Sequence, residues 1–488
     1  MSQADLTIES SGLPQAGSDK LSPQSVRLLG VLMVGAFVVI LNETAMNVAL
    51  STIMVDLRVT ERTAQWLTTG FMLTMAVVIP TTGWLLQRFT TRQVFVLAMS
   101  LFSLGTLVCA LAFAFPLLLG GRVIQALGTA IMMPLLMTTT IEVVPPQIRG
   151  RVMGLTGMVI SVAPAIGPTV SGLVLHFLPW RFVFVVVLPI AVTIGALGLR
   201  FVRNLDQARP VGLDVVSIPL AALGFGGLVY GLTLVGNPEV PGWELNVVLA
   251  VGTASLIAFG WRQLRLQRTD SALLDLRTFT QPAFTIAVAV MAIVTAVLFG
   301  TVIALPLVLQ RVLHLEPLSV GLIVLPGGLL MGLLAPGVGR LYDRVGPRLL
   351  VLPGGVSVLA AFAVFATIST QTQWWHLMGA HLLLTLGLAF MFTPLFTTAL
   401  SALPHRLRSY GSATLGTVQQ VAGAAGTALF VTVMATVAGT AGGTPEEALA
   451  VGARISFLLV GAIWLVGLVA AGFLTKPEDE PSGPHPAH

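Results

Sequence analysis

Charge is scarce in this sequence. Only 9% of its 488 residues are Asp, Glu, Lys or Arg, against 55% hydrophobic, where an ordinary soluble domain carries about 25% charge. A string of water-soluble domains is excluded on that ground. Cysteine is nearly absent too: Cys109 stands alone. Neither an intramolecular disulfide nor a cysteine metal cluster can form. No His-Glu-x-x-His zinc pattern occurs and no two carboxylates share an apolar run, which argues against a membrane enzyme. The N-terminal stretch before Leu21 lacks the apolar core of a secretion signal and is expected to be a disordered tail. Basic residues outnumber acidic ones, 25 to 20. They are spread over short connections, so no nucleic-acid partner is expected.

Apolar length is abundant. Uniform runs, each long enough for a helix of roughly 20 residues across a bilayer, lie near 28–54, 65–87, 93–114, 117–142, 150–176, 181–202, 212–236, 244–264, 282–310, 318–339, 349–369, 375–399, 410–438 and 449–474. A β-barrel would show short alternating strands instead. The expectation is an all-α integral membrane protein of fourteen transmembrane helices. Alternating these spans from a cytoplasmic N-terminus leaves only Arg58, Arg62, Arg181, Arg311 and Arg454 outside, and only Arg122 within a span. Every other lysine and arginine falls inside. A missed helix would destroy that asymmetry, so the positive-inside rule places both termini in the cytoplasm.

The spans group as six, two and six, with a basic stretch Arg200–Arg209 and the loop "RLQRTDSALLDLRTFTQP" as punctuation. The expected division is a cytoplasmic tail at 1–24, a six-helix bundle at 25–205 and an inserted two-helix hairpin at 206–266. A cytoplasmic loop at 267–281, a second six-helix bundle at 282–475 and a tail at 476–488 complete it. The connections "GWLLQRFTTRQ" (Gly83–Gln93) and "GRLYDRVGPR" (Gly339–Arg348) follow the second span of each bundle and suggest duplication. Duplicated bundles are a transporter architecture, with substrate held near the midplane between halves.

Several spans carry polar groups that a bilayer penalises. "LNETAMNVAL" puts Glu43 deep in the first span, with Asn42 beside it and Asn47 one turn further on its face. A carboxylate is costly there, which suits a group that takes up and releases a proton. "GRVIQALGTAIMMP" in the fourth span sets Arg122, Gln125 and Thr129 on one helical face. Such an arginine costs at least ~2.5 kcal/mol and must face a partner or water. "GMVISVAPAIGPTVSG" in the fifth span repeats small residues at Gly157, Ser161 and Ala165. Pro164, Pro168 and Gly172 repeat with the same spacing, giving a bendable, close-packing helix. Met132, Met133, Met137, Phe390, Met391 and Phe392 offer an adaptable apolar wall, with Gln419 and Gln420 as polar cavity groups between Gly416 and Gly423. His381, in the twelfth span, is a possible secondary proton site. The "GFGG" of Gly224–Gly227 follows no strand, so it is read as helix packing and not as a dinucleotide loop.

Taken in order, these motifs resemble the major facilitator superfamily, and within it the fourteen-span drug:proton antiporter branch, over roughly residues 25–475. The resemblance implies gating roles for Gly83, Arg88, Gly339, Asp343 and Arg344, with Asp343 and the neighbouring arginines forming a charged network. It implies proton coupling by Arg122 and an antiporter motif comprising Gly157, Pro164, Gly167, Pro168 and Gly172. The first bundle departs from the pattern: Gln87 stands where aspartate is expected, Thr90 where glycine is, and Asn42 where many members have aspartate. The function so implied is proton-coupled export of hydrophobic or amphipathic small molecules from a plasma membrane, including antibiotics, by a monomer. It needs no cofactor besides the proton gradient, and its partners are substrate, protons and the lipid bilayer. Export of a dedicated metabolite or lipid, or a non-transporting scaffold or sensor, would be the alternatives.

Overall fold

A computed structural model describes residues 21–205, 212–235 and 240–476. Most of the two expected tails and the start of the hairpin lie outside that set. Fourteen helices in it are long and apolar enough to cross a membrane, and no strand occurs among the described residues. The first bundle comprises α1 (Pro23–Leu57), α2 (Glu61–Arg88), α3 (Thr91–Ala110), α4 (Phe115–Val143), α5 (Arg149–Phe177) and α6 (Arg181–Phe201). The hairpin is α7 (Ser217–Leu234) and α8 (Gly242–Leu266). The second bundle comprises α9 (Pro282–Arg311), α10 (Pro317–Val345), α11 (Arg348–Phe365), α12 (Trp374–Ser401), α13 (Arg408–Thr440) and α14 (Pro445–Ala471).

Polar punctuation sets the helix starts. Ser22 caps α1 ahead of Pro23, and Thr60 caps α2. Thr90, unusual on the family pattern, closes a capping box with Gln93 at the start of α3 and so satisfies amides that a glycine would leave open. One helix end and one helix interior differ from expectation. The α10 helix runs past the apolar stretch through "GRLYDRV" and stops at Gly346, whose φ of +77° suits glycine. Gly339, Asp343 and Arg344 are therefore helical, not loop residues. The α7 helix carries a π-helical segment at Ala222–Gly226, so "GFGG" marks a widened turn.

Within the bundles α3 packs on α4 and α6, and α1 on α5; in the second, α11 packs on α12, and α9 on α13. The duplication is visible in the packing. A Cβ on Gly128 of α4 would meet the Ala98 carbonyl of α3 at 2.4 Å, and one on Gly387 of α12 would meet the Gly354 carbonyl of α11 at 2.4 Å. The same crossing has thus been built twice. The second core is the larger and holds Phe362, Phe365, Phe430 and Phe457, with the Phe365 and Phe457 rings stacked 4.5 Å apart. Between the bundles α5 lies along α10 and α2 along α13, and the hairpin rests on α2 and α13. Arg149, Arg151, Arg340, Arg344, Arg348, Arg406 and Arg408 sit at helix termini sharing one end of the molecule, termed here the arginine-rich end.

Candidate functional site: a buried arginine and a two-part seam

Inside the first bundle three helices bring polar side chains together. Arg122 of α4 is 1% exposed, and its Nη1 donates to Gln125 Oε1 at 2.9 Å. Gln125 Nε2 in turn donates to Asn42 Oδ1 of α1 at 2.9 Å and to Thr106 Oγ1 of α3 at 2.8 Å. The Phe71 ring of α2 lies under the guanidinium, 4.1 Å from ring centroid to Cζ. Thr129 shares the helical face but turns its hydroxyl back onto the Gln125 carbonyl, so it stays outside the network. Sequence reading missed Thr106 and Phe71. Neither is unusual in an apolar helix, and only the crossings of α3 and α2 with α4 give them a role.

The arginine has no carboxylate within ion-pair range among the described residues. Glu43, partly buried on α1 next to Asn42, is near enough to interact with it electrostatically without touching it. Two donors of the cluster, Asn42 Nδ2 and Arg122 Nε, are buried without a partner. A buried cation held by an amide and a ring alone is expensive. The cluster is therefore arranged to accept a negative charge. The Asn47 side chain lies outside the described residues. From Glu43, α1 leads away from the arginine-rich end to a shallow, open surface at Ser51, Thr52, Val55 and Asp56. Ser51 is roughly 12 Å further along the axis at ~1.5 Å per residue.

The motif of α5 is shared between two neighbours. Gly167 makes room for Thr44 of α1, where a Cβ would come within 2.1 Å of the threonine hydroxyl, while Gly157 faces Thr393 and Ala335 of the second bundle. Pro164 and Pro168 are accommodated in an unbroken helix, and Gly172 faces open space.

The hydrogen bonds joining the bundles cluster at the arginine-rich end. Asp343 at the last turn of α10 accepts from the first amides of α5: Gly150 N–H at 2.6 Å and Arg151 N–H at 2.9 Å. It forms no ion pair with an arginine among the described residues, contrary to the expected network. Arg340 and Arg344 are exposed, because neighbours on a helix point in different directions and Asp343 points across the seam. On the other seam Gln87 of α2 donates to the Arg406 carbonyl at 2.7 Å and to Ser409 Oγ at 3.2 Å, ahead of and within the first turn of α13. Arg88 is exposed and takes no part. Between them Thr138 of α4 and Ser412 of α13 share a buried hydrogen bond of 2.7 Å.

A family model, the Major Facilitator Superfamily, matches residues 32–427. The chain belongs to that superfamily. It is 39% identical over 94% of its length to the uncharacterized MFS-type transporter YcnB of Bacillus subtilis (strain 168), covering 97% of that protein. It is 37% identical over 94% of its length to the lincomycin resistance protein LmrB of Listeria monocytogenes, covering 98% of that protein. Among solved structures it is similar to the human organic anion transporter MFSD10 (TETRAN), with a TM-score of 0.68 at 14% identity. That match covers 92% of this chain and all, 100%, of that one. The protein is thus a superfamily transporter.

The expected cavity residues come together only in part in this closed arrangement. Met132 is wholly buried in the core of the first bundle, and Met391 in the larger core that also takes in Met137. Met137 lies 4% exposed in a core that crosses the bundles, and Met133 and Phe392 pack against it. Phe390 packs beside Val338 and Tyr342. Gln419 and Gln420 are partly buried on α13. His381 is buried on α12, far from the Arg122 cluster in the chain and in the other bundle.

Proposed function

We propose that the protein is a proton-coupled antiporter exporting hydrophobic or amphipathic small molecules by alternating access, and that Glu43 and Arg122 form its proton-coupling pair. The observation that carries this reading is a fully buried arginine with unused donors and no touching carboxylate, beside the carboxyl of α1. Deprotonated Glu43 is drawn onto Arg122, because an ion pair in low dielectric is strong once both charges are already buried. Protonated Glu43 lets go, and Gln125 and Asn42 keep the guanidinium in place. The two states hold α1 differently against α5 at Thr44 and Gly167, and α5 lies on the seam that Asp343 fastens. A proton at Glu43 is thereby linked to the opening of the arginine-rich end.

The similarity to LmrB, a protein named for lincomycin resistance, supports a drug-like substrate. In this reading the arginine-rich end is cytoplasmic, both termini lie there, the membrane is the plasma membrane and a monomer suffices. No catalysis and no cofactor are assigned. The test is transport into proteoliposomes of a neutral drug under an imposed pH gradient. Glu43→Gln keeps the shape of the protonated acid but cannot release a proton, so gradient-driven accumulation should vanish while binding persists. Accumulation by Glu43→Gln at the wild-type rate, with unchanged pH dependence, would refute the assignment.

A further inference from the structure

His381 stands as far before Gly387 as Arg122 stands before Gly128, and those two glycines occupy the same helix crossing in the two bundles. The duplicated fold therefore carries a second titratable group in the slot that the arginine fills. The imidazole is 4% exposed and wedged between α12 and α10. A Cβ on Gly327 would lie 2.6 Å from its Cδ2 and Nε2. Pro326 directly precedes that glycine inside α10. The ring's Nδ1 is buried without a partner. The hydroxyl of Thr385, one turn on, bonds instead to the His381 carbonyl at 2.9 Å. The residue after Gly327 reaches the other bundle: a Cβ on Gly328 would lie 3.1 Å from Ala165 Cβ, within the α5 motif.

We infer that His381 is a proton-binding site of the second bundle, and that its charging pushes α10 away from α12 and loosens the α5–α10 seam at Ala165 and Gly328. No carboxylate or base of α4, α5, α9, α10, α11 or α13 faces the ring among the described residues. Their charges stand at helix ends, as Arg311 on α9, Asp343 on α10 and Arg348 on α11 do, or inside the first bundle, as Arg122 does. On α12 itself the other histidine, His376, is exposed near the start of the helix. The ring already hydrogen-bonds the Val324 backbone of α10, which leaves Nδ1 as the unpartnered atom, and a proton added there can be hydrated only if α10 moves. The inference deepens the antiport reading and rests on it for its purpose, but its test does not use transport.

Spin labels are placed at Leu173 of α5 and Leu322 of α10 in a Cys109→Ser background, and their separation is measured in lipid nanodiscs at about pH 8 and about pH 5.5. Acid should move part of the distribution to longer separations. His381→Gln and His381→Asn should lose that component, whereas Glu43→Gln should keep most of it even where it abolishes transport. A wild-type protein without an acid response, or a folded His381 variant that keeps the full response, would overturn the inference. If neither variant folds, Gly327→Ala, which crowds the ring with His381 intact, should displace the midpoint of the response. An unmoved midpoint would count equally against it. Failure of the antiport reading would show separately, as acid-responsive distances in a protein that transports without a pH gradient.

Discussion

The two seams between the bundles occupy equivalent places and are fastened by different chemistry. In each, the last turn of the second helix of one bundle reaches the start of the fifth helix of the other. Asp343 presents an anion to the free amides of α5, where hydrogen bonding and the helix dipole act together. Gln87 presents a neutral donor to a carbonyl and a hydroxyl beside α13, which gains only ordinary hydrogen bonds. Duplication thus preserved a position and changed its strength. Under the proposed alternating access, one strong, geometry-sensitive catch and one weak guide suit an end that opens, since two strong catches would hold the closed state too firmly.

The sharpest way to break that comparison is steric. A Cβ on Gly339 would lie 2.0 Å from the Gly150 carbonyl, backbone against backbone, whereas one on Gly83 meets a side-chain atom of Tyr410 at 2.7 Å and its Cα only at 3.2 Å. Gly339→Ala should therefore cost roughly tenfold or more in transport rate, because overpacking of about 1–3 kcal/mol falls on the closed state alone. Gly83→Ala should cost several-fold less, and equal losses in parallel transport assays would erase the asymmetry.

A milder change acts on the fastenings themselves. Asp343→Asn turns an amide donor toward an N–H group and forfeits about 1.5–3 kcal/mol of charge-assisted bonding, while Gln87→Ala forfeits about 0.5–1.5 kcal/mol. A cysteine at Met153, only 2% exposed in the closed seam, should react with a thiol reagent roughly tenfold faster in the first variant. In the second the gain should be a few-fold. The reverse order would assign the stronger catch to Gln87.

The smallest effect belongs to the hairpin. Asp214 accepts from Arg262 Nε and Nη2, both at 2.6 Å, and these bonds hold its carboxyl at about 2, well below the usual range. A depressed acid stabilises the fold above its ordinary pKa and loses that contribution as pH falls toward the depressed value. Asp214→Asn should therefore lower thermal stability by about 1 kcal/mol or less, by an amount constant between about pH 5 and pH 8. A gap in unfolding temperature that changes across that window would contradict the assignment. It would also implicate this pair, and not His381, in acid responses of the membrane domain.

Much of the architecture was legible because a bilayer imposes a crude rule. Long apolar runs must be helices, and arginines sort to one face. Arg122 and Gln125 were recognisable as partners from spacing on one helix, and Asn42 from its company beside Glu43. What stayed hidden depends on which helices cross. Thr106 and Phe71 are unremarkable until α3 and α2 pass α4. Asp343 looked like one member of a charged group, since sequence lists its arginine neighbours but not the amides of α5 facing it from the other bundle. The equivalence of His381 and Arg122 was hidden for a related reason: the residues differ, and only the glycine crossings reveal the shared slot.

Gln263, completely buried, receives the amides of Leu273 and Leu274 and donates to Ser217, so hairpin and following loop form one fastened piece. That piece packs with Trp84 of α2 and Ala413 of α13 in one apolar cluster. It therefore roofs one seam and leaves the other bare. Among the described residues the hairpin packs on α2 and α13, so the two flanks that would face a bilayer are unlike. A molecule entering sideways from a membrane would meet a handed pair of flanks, set by an insertion whose described residues pack on α2 and α13 and not on the Arg122 cluster.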